Sequence, residues 1–163
     1  MYMDDINVYI TVLHDSLLKK VDVVKKILKC TKEQNVILSS DNVDVSRFDD
    51  IISEKDIQIK ELEKLDKGFD ATFDRVKDEL KNNKEAHKAQ ILEMQNYIRT
   101  ITDISIEIES LEQSNKGMFA DFLRGERKEI KKFNVNNKIA ASYNSNMPNQ
   151  HQNWQSYFLD KKK

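Results

Sequence analysis

The sequence predicts an all-α protein: an elongated antiparallel bundle or coiled coil of three long helices in residues 1–133, followed by a flexible C-terminal tail at residues 134–163. Three observations lead there. The 163 residues include only three Gly and one Pro, too few for the turns that sandwiches, barrels and nucleotide-binding loops require. Charged residues make up 34% of the chain against 39% hydrophobic, with a mean hydropathy of -0.70, which suits long solvated helices better than a thick globular core. Apolar residues also recur at spacings of three and four, the period that lines up one face of a helix.

The first helix is expected over about residues 4–38. Ile6, Ile10, Leu13 and Leu17 follow a 4-3-4 rhythm. The apolar series then takes an extra four-step to Val21, Val24 and Leu28, which reads as a stutter that relaxes a supercoil without breaking the helix. The stretch SSDNVDVS, residues 39–46, ends this helix, because Ser, Asp and Asn side chains compete for backbone hydrogen bonds. Asp44 or Ser46 can cap the next helix.

The second helix, about 46–80, carries Phe48, Ile52, Ile59, Leu62, Leu65, Phe69, Phe73, Val76 and Leu80. Lys55 stands where the pattern calls for an apolar residue. Gly68 costs about 1 kcal/mol relative to Ala inside a helix, and is expected to be there for a close approach beside Phe69 and Phe73. KNNKEAHKA, residues 81–89, is either a turn or a solvated joint between helices placed end to end.

The third helix, about 86–130, has the most regular series: Ile91, Met94, Ile98, Ile101, Ile104, Ile108, Leu111, Asn115, Met118 and Phe122. Ile104, Ile106 and Ile108 alternate as a strand would, but the helical period accounts for the whole run. RGERKEIKKF, residues 124–133, closes the helix with cations that suit its negative end. The tail beyond it is Asn-rich, contains the single Pro and has one acid, Asp160. Such composition cannot bury enough apolar surface to offset its ordering entropy. Its aromatic residues, Tyr143, Trp154, Tyr157 and Phe158, read as anchors for a partner.

Several functions are excluded from expectation. Lys and Arg number 27 against 28 Asp and Glu, a net charge of -1, so the basic excess that favours nucleic acid is missing. No apolar run reaches the roughly 20 residues of a membrane span, and MYMDDINVYI has acids where a signal peptide carries Lys or Arg. A reduced, cytoplasmic compartment is expected, with Cys30 a lone residue at a helix surface or half-buried. His14, His87 and His151 share no metal-ligand spacing and read as surface imidazoles. Gly68, Gly117 and Gly125 form no phosphate cradle. No enzymatic activity, cofactor or metal is expected.

What remains is a set of apolar stripes. Ile98 to Leu111 read as bundle core, whereas Met118, Phe119, Phe122 and Leu123 spread over more than one stripe at a helix end, where some must face outward. Met and Phe so placed form an adaptable groove for an amphipathic helix. Asn115, at the boundary, either pairs inside the bundle or reaches the backbone of a bound segment.

The stretch IESLEQSNKGMFADFL, residues 108–123, resembles the long final helix of the FlgN family of flagellar export chaperones. That helix carries a Leu-x-x-x-Asn-x-x-Leu-type signature, here matched by Leu111 and Asn115, with Met118 in the last apolar position. The order of parts agrees: a long helix, an Asp/Asn break, a second helix, the signature helix and a variable tail. The resemblance implies a small cytoplasmic chaperone of type III secretion. It would bind the C-terminal segments of hook-filament junction (hook-associated) proteins and deliver them to the export gate. By position, Asn115, Met118, Phe119, Phe122 and Leu123 are the cargo-binding candidates, and Tyr143, Trp154, Tyr157 and Phe158 the gate-docking candidates. The alternatives are a structural coiled-coil scaffold and a FliT-type chaperone for the filament cap protein; a homodimer is left open.

Overall fold

The computed structural model describes residues 3–125, with side chains from Asp5 onward. The expected tail, the last residues of the expected third helix and all four tail aromatics lie outside the described residues. Three α-helices follow one another: α1 (Met3–Ser39), α2 (Val45–Asn82) and α3 (Lys88–Gly125). With 37 or 38 residues each, they are about 56 Å long at 1.5 Å per residue.

Short, polar connections make the helices antiparallel. At the first, Asp44 caps α2: it has extended backbone angles, and its carboxylate accepts the Arg47 N–H at 3.0 Å. That bond satisfies one of the donors a helix start leaves open. Residues 81–89 settle as a turn. The Asn83 N–H donates to the Glu79 carbonyl at 2.9 Å, and Ala86 N–H to the Asn83 carbonyl at 3.2 Å, before α3 begins. His87 is 7% exposed, which corrects the reading of it as a surface imidazole. His14 is half-buried, its Nε2 3.1 Å from Glu93 and its ring edge-on to Tyr97.

The seam between the helices keeps a stricter rhythm than the apolar residues alone suggest. In α1 the line of burial runs Ile10, Leu13, Leu17, Lys20, Val24, Ile27, Thr31, Gln34, Leu38, in unbroken alternating steps of three and four. The expected stutter is therefore absent: Lys20 takes the seam position, and Val21 is buried beside it at 6% exposure. In α2 the same rhythm passes through Lys55 and Asp66, leaving Leu65 only partly buried. In α3 it passes through Ser105 and Asn115 to Phe119, with Ile104 packed at its edge. Alternating steps average 3.5 residues, the repeat that keeps one face toward its neighbours over the length of a coiled coil.

Most of the seam is one apolar core, from Ile10 to Ile27 on α1, Leu62 to Leu80 on α2 and Met94 to Ile108 on α3. Within it lies a buried ion pair, Lys20 Nζ to Asp66 Oδ1 at 2.5 Å. Burial lowers the Lys20 ammonium to about 8 and raises the Asp66 carboxyl to about 6. Gly68 is corrected as well: a Cβ built there meets nothing within 4 Å, so no close approach depends on it. Cys30 is more enclosed than expected, at 8% exposure, and burial raises its thiol pKa.

Candidate functional site

The far end of the bundle, where α1 ends, α2 begins and α3 finishes, holds a second, smaller core. Leu38, Phe48, Ile52 and Phe119 are buried there, and Ile37, Val43, Met118, Phe122 and Leu123 pack against them while partly exposed. The Phe48 and Phe119 rings stack in parallel with centroids 5.7 Å apart, and Phe122 tilts against Phe119 at 6.4 Å. Aromatic pairs in this range contribute about 0.5–1.5 kcal/mol beyond their buried area. The Ser39 hydroxyl donates to the Asn35 carbonyl at 2.7 Å, and its oxygen lies 3.5 Å from Met118 Sδ. Met118 Sδ thus lies beside the end of α1.

A polar layer divides this end core from the main one. Asn115 is wholly buried. Its amide donates to the Thr31 carbonyl at 3.1 Å, and its own oxygen accepts from the Asn35 amide at 3.0 Å. Thr31 donates its hydroxyl to the Ile27 carbonyl at 2.8 Å, one turn back in its own helix, with Glu112 Oε1 3.4 Å away. From the α2 side, Lys55 donates to Gln34 Oε1 at 3.1 Å and forms an ion pair with Glu112. Lys55 is 3% exposed, and burial lowers its ammonium to about 8. Every helix therefore contributes to the layer. Such a layer fixes axial register, since sliding one helix by a turn would strand several buried polar groups.

The five residues expected to receive a partner separate into two groups. Asn115 and Phe119 sit in the seam, the first bonded to α1 and the second 8% exposed against Phe48. For Asn115 the geometry is that of a residue paired inside the bundle. Met118, Phe122 and Leu123 keep part of their surface in solvent, on the flanks of the seam. The arrangement is an apolar shelf at the end of α3, backed by the stacked Phe48 and Phe119 rings. It offers packing surface for an apolar segment and no reactive group. Among the described residues no cluster of His, Cys, Asp and Glu could hold a metal ion, and no helix is long and apolar enough to cross a membrane.

Sequence reasoning did not assign Ile37, Leu38, Val43 and Phe48 to this end, nor Thr31, Gln34 and Asn35 to its polar layer. The first group needs the antiparallel topology. Of the second, Thr31 and Gln34 were within reach, because strict 3-4 steps along α1 past Ile27 land on them, whereas Asn35 lies off that line and is identified by its contact with Asn115.

In a comparison with known families, the family model described as FlgN protein matches residues 1–148. No curated protein and no solved structure matches the chain.

Proposed function

Because the chain belongs to the FlgN family of flagellar export chaperones, we propose that it binds C-terminal segments of hook-filament junction proteins in the cytoplasm and delivers them to the export gate. Chaperones of this family bind flagellar substrate proteins. The observation that carries the finer reading is the shelf of Met118, Phe122 and Leu123, apolar and partly exposed over the buried end core. An amphipathic cargo segment folding onto it would trade ordering entropy for buried area, the helix-in-groove mode of recognition. Asn115 and Phe119 serve the same site from beneath, holding α3 in register and the shelf in place. For the tail, the proposal is that one of Tyr143, Trp154, Tyr157 and Phe158 docks to the export gate.

The test is a titration of the full chain with C-terminal peptides of the two junction proteins and of the filament cap protein. Junction peptides should bind, and Met118→Ala with Phe122→Ala should weaken that binding by at least about tenfold, the equivalent of 1.4 kcal/mol, with helicity unchanged. Undiminished binding by the double variant would remove the shelf from the site. Preference for the cap peptide would assign the chain the other cargo. Secretion that proceeds normally after deletion of residues 143–163 would exclude the tail from gate docking.

A further inference from the structure

The exposed face of α1, bordered by Arg47 of α2 and Glu107 of α3, has a character unlike the rest of the molecule. Between residues 19 and 32 the chain carries six Lys and one Asp, in a protein whose net charge is -1. Lys20 is paired internally with Asp66. Lys19, Lys25, Lys26, Lys29 and Lys32 are all exposed. Lys32 reaches Glu107 at 3.5 Å, and among the described residues neither Lys25 nor Lys29 has a carboxylate partner.

The face is not uniformly polar. Lys25, Lys29, Lys32 and Val36 fall at i, i+4, i+7 and i+11, one stripe along the helix. Val36 is 70% exposed, the highest among the large exposed hydrophobic residues described. Leu28 and Ile37 flank the stripe half-buried, and with Arg47 and Glu33 the group lines a shallow groove of about 480 Å³. Glu33 is already matched by Arg47 at 2.7 Å, and Lys32 by Glu107, so among the described residues the positive charge of Lys25 and Lys29 is left without an internal carboxylate counterpart. An aliphatic floor with a lysine rim along one side of α1 fits a second helix lying alongside it. That helix needs aliphatic residues facing Val36 and Leu28 and carboxylates facing the rim. Nucleic acid fits less well, because the groove has no aromatic platform for bases. A bilayer fits less well, because three aliphatic side chains bury little area without a Trp or Phe.

We propose that this face of α1, residues 25–37, is a docking site for an acidic amphipathic helix of a partner protein, separate from the α3 shelf. Rim charges would steer the encounter, and Val36 with Leu28 would hold the docked helix.

The probe is a synthetic helical peptide with Leu on one face flanked by Glu, titrated into the full chain by fluorescence anisotropy. Its counterpart with Lys in place of Glu, a single-stranded oligonucleotide and anionic phospholipid vesicles serve as the comparison ligands. The Glu peptide should bind, and Lys25→Glu with Lys29→Glu should weaken it about tenfold through loss of two attractive charges and gain of two repulsive ones. Val36→Ser should weaken it by up to about tenfold through lost apolar burial. All three positions are exposed, so helicity should not change. Met118→Ala with Phe122→Ala should leave this binding intact, which separates its failure from failure of the shelf. The proposal is overturned if the charge reversal or Val36→Ser has no effect, or if the Lys peptide binds equally well. It is also overturned if the oligonucleotide or vesicles bind more tightly through the same lysines, or if these residues instead drive self-association of the chain.

Discussion

Asn115→Ala tests the reading of Asn115 as a register-setting residue inside the bundle. The substitution removes two hydrogen bonds, one to the Thr31 carbonyl and one from the Asn35 amide. Each is worth about 1 kcal/mol net. Thr31 keeps its place in the α1 backbone ladder, and Asn35, half-buried, can turn its freed amide to water, so little further penalty is expected. The predicted cost is about 2 kcal/mol. Urea unfolding followed by far-UV circular dichroism measures it as a fall in midpoint at constant slope. A companion variant separates polarity from packing. Asn35→Leu with Asn115→Leu replaces both partners by apolar groups and should stay within about 1 kcal/mol of the parent. It should also lose uniqueness of register, visible as more than one set of backbone amide signals by NMR. An Asn115→Ala cost below about 0.5 kcal/mol, the range of ordinary surface substitutions, would refute the burial and pairing on which the account rests.

Gly68→Ala should stabilise the chain by about 1 kcal/mol, since Ala restores helix propensity and its Cβ enters open space; a lower urea midpoint would show that the glycine is needed. Asp66 provides a pH test. Burial raises its carboxyl from 3.8 to about 6, so its contribution to stability is fully present below its unfolded value near 3.8 and is lost as the pH rises through about 6. The stability of the parent minus that of Asp66→Asn should therefore fall by up to about 3 kcal/mol between pH 4 and pH 7, at 1.36 kcal/mol per pKa unit. A difference that is flat or rises would contradict it. The two buried lysines should also differ. Lys20→Met leaves the Asp66 side chain at 8% exposure without its partner, and should cost about 3 kcal/mol or more. Lys55→Met leaves Glu112, a less enclosed acid at 21% exposure, and should cost less in the same urea assay; equal costs would show that exposure of the stranded acid does not decide the outcome.

Much of the architecture could be read directly. Scarce Gly and Pro, the charge load and the 3-4 spacing gave three helices whose ends fall within a few residues of Met3–Ser39, Val45–Asn82 and the start of α3 at Lys88. Local hydrogen-bonding chemistry narrowed the cap of α2 to Asp44 or Ser46, and the structure selects Asp44. The helical period rejected a strand at Ile104–Ile108, where Ile106 is 60% exposed on a helix instead of sharing a sheet face with its neighbours. That some of Met118, Phe119, Phe122 and Leu123 face outward was also visible, because apolar side chains spread beyond one stripe at a helix end signal surface, but not that Phe119 is the one turned inward.

The sequence by itself determined helix number, polarity of connection and the apolar character of the α3 end, because these depend on local propensity and on a period that each helix carries alone. Only the tertiary structure decided which residues occupy the seam. Tracing apolar letters led from Leu17 to Val21 and from Phe48 past Lys55, whereas three helices packed over about 56 Å hold one face inward only at strict alternating steps, whatever residue falls there. Lys20, Asp66, Lys55 and Asn115 are buried for that reason, each matched by a group on another helix. Those matches depend on how α1, α2 and α3 slide against one another, a relation that no single helix encodes.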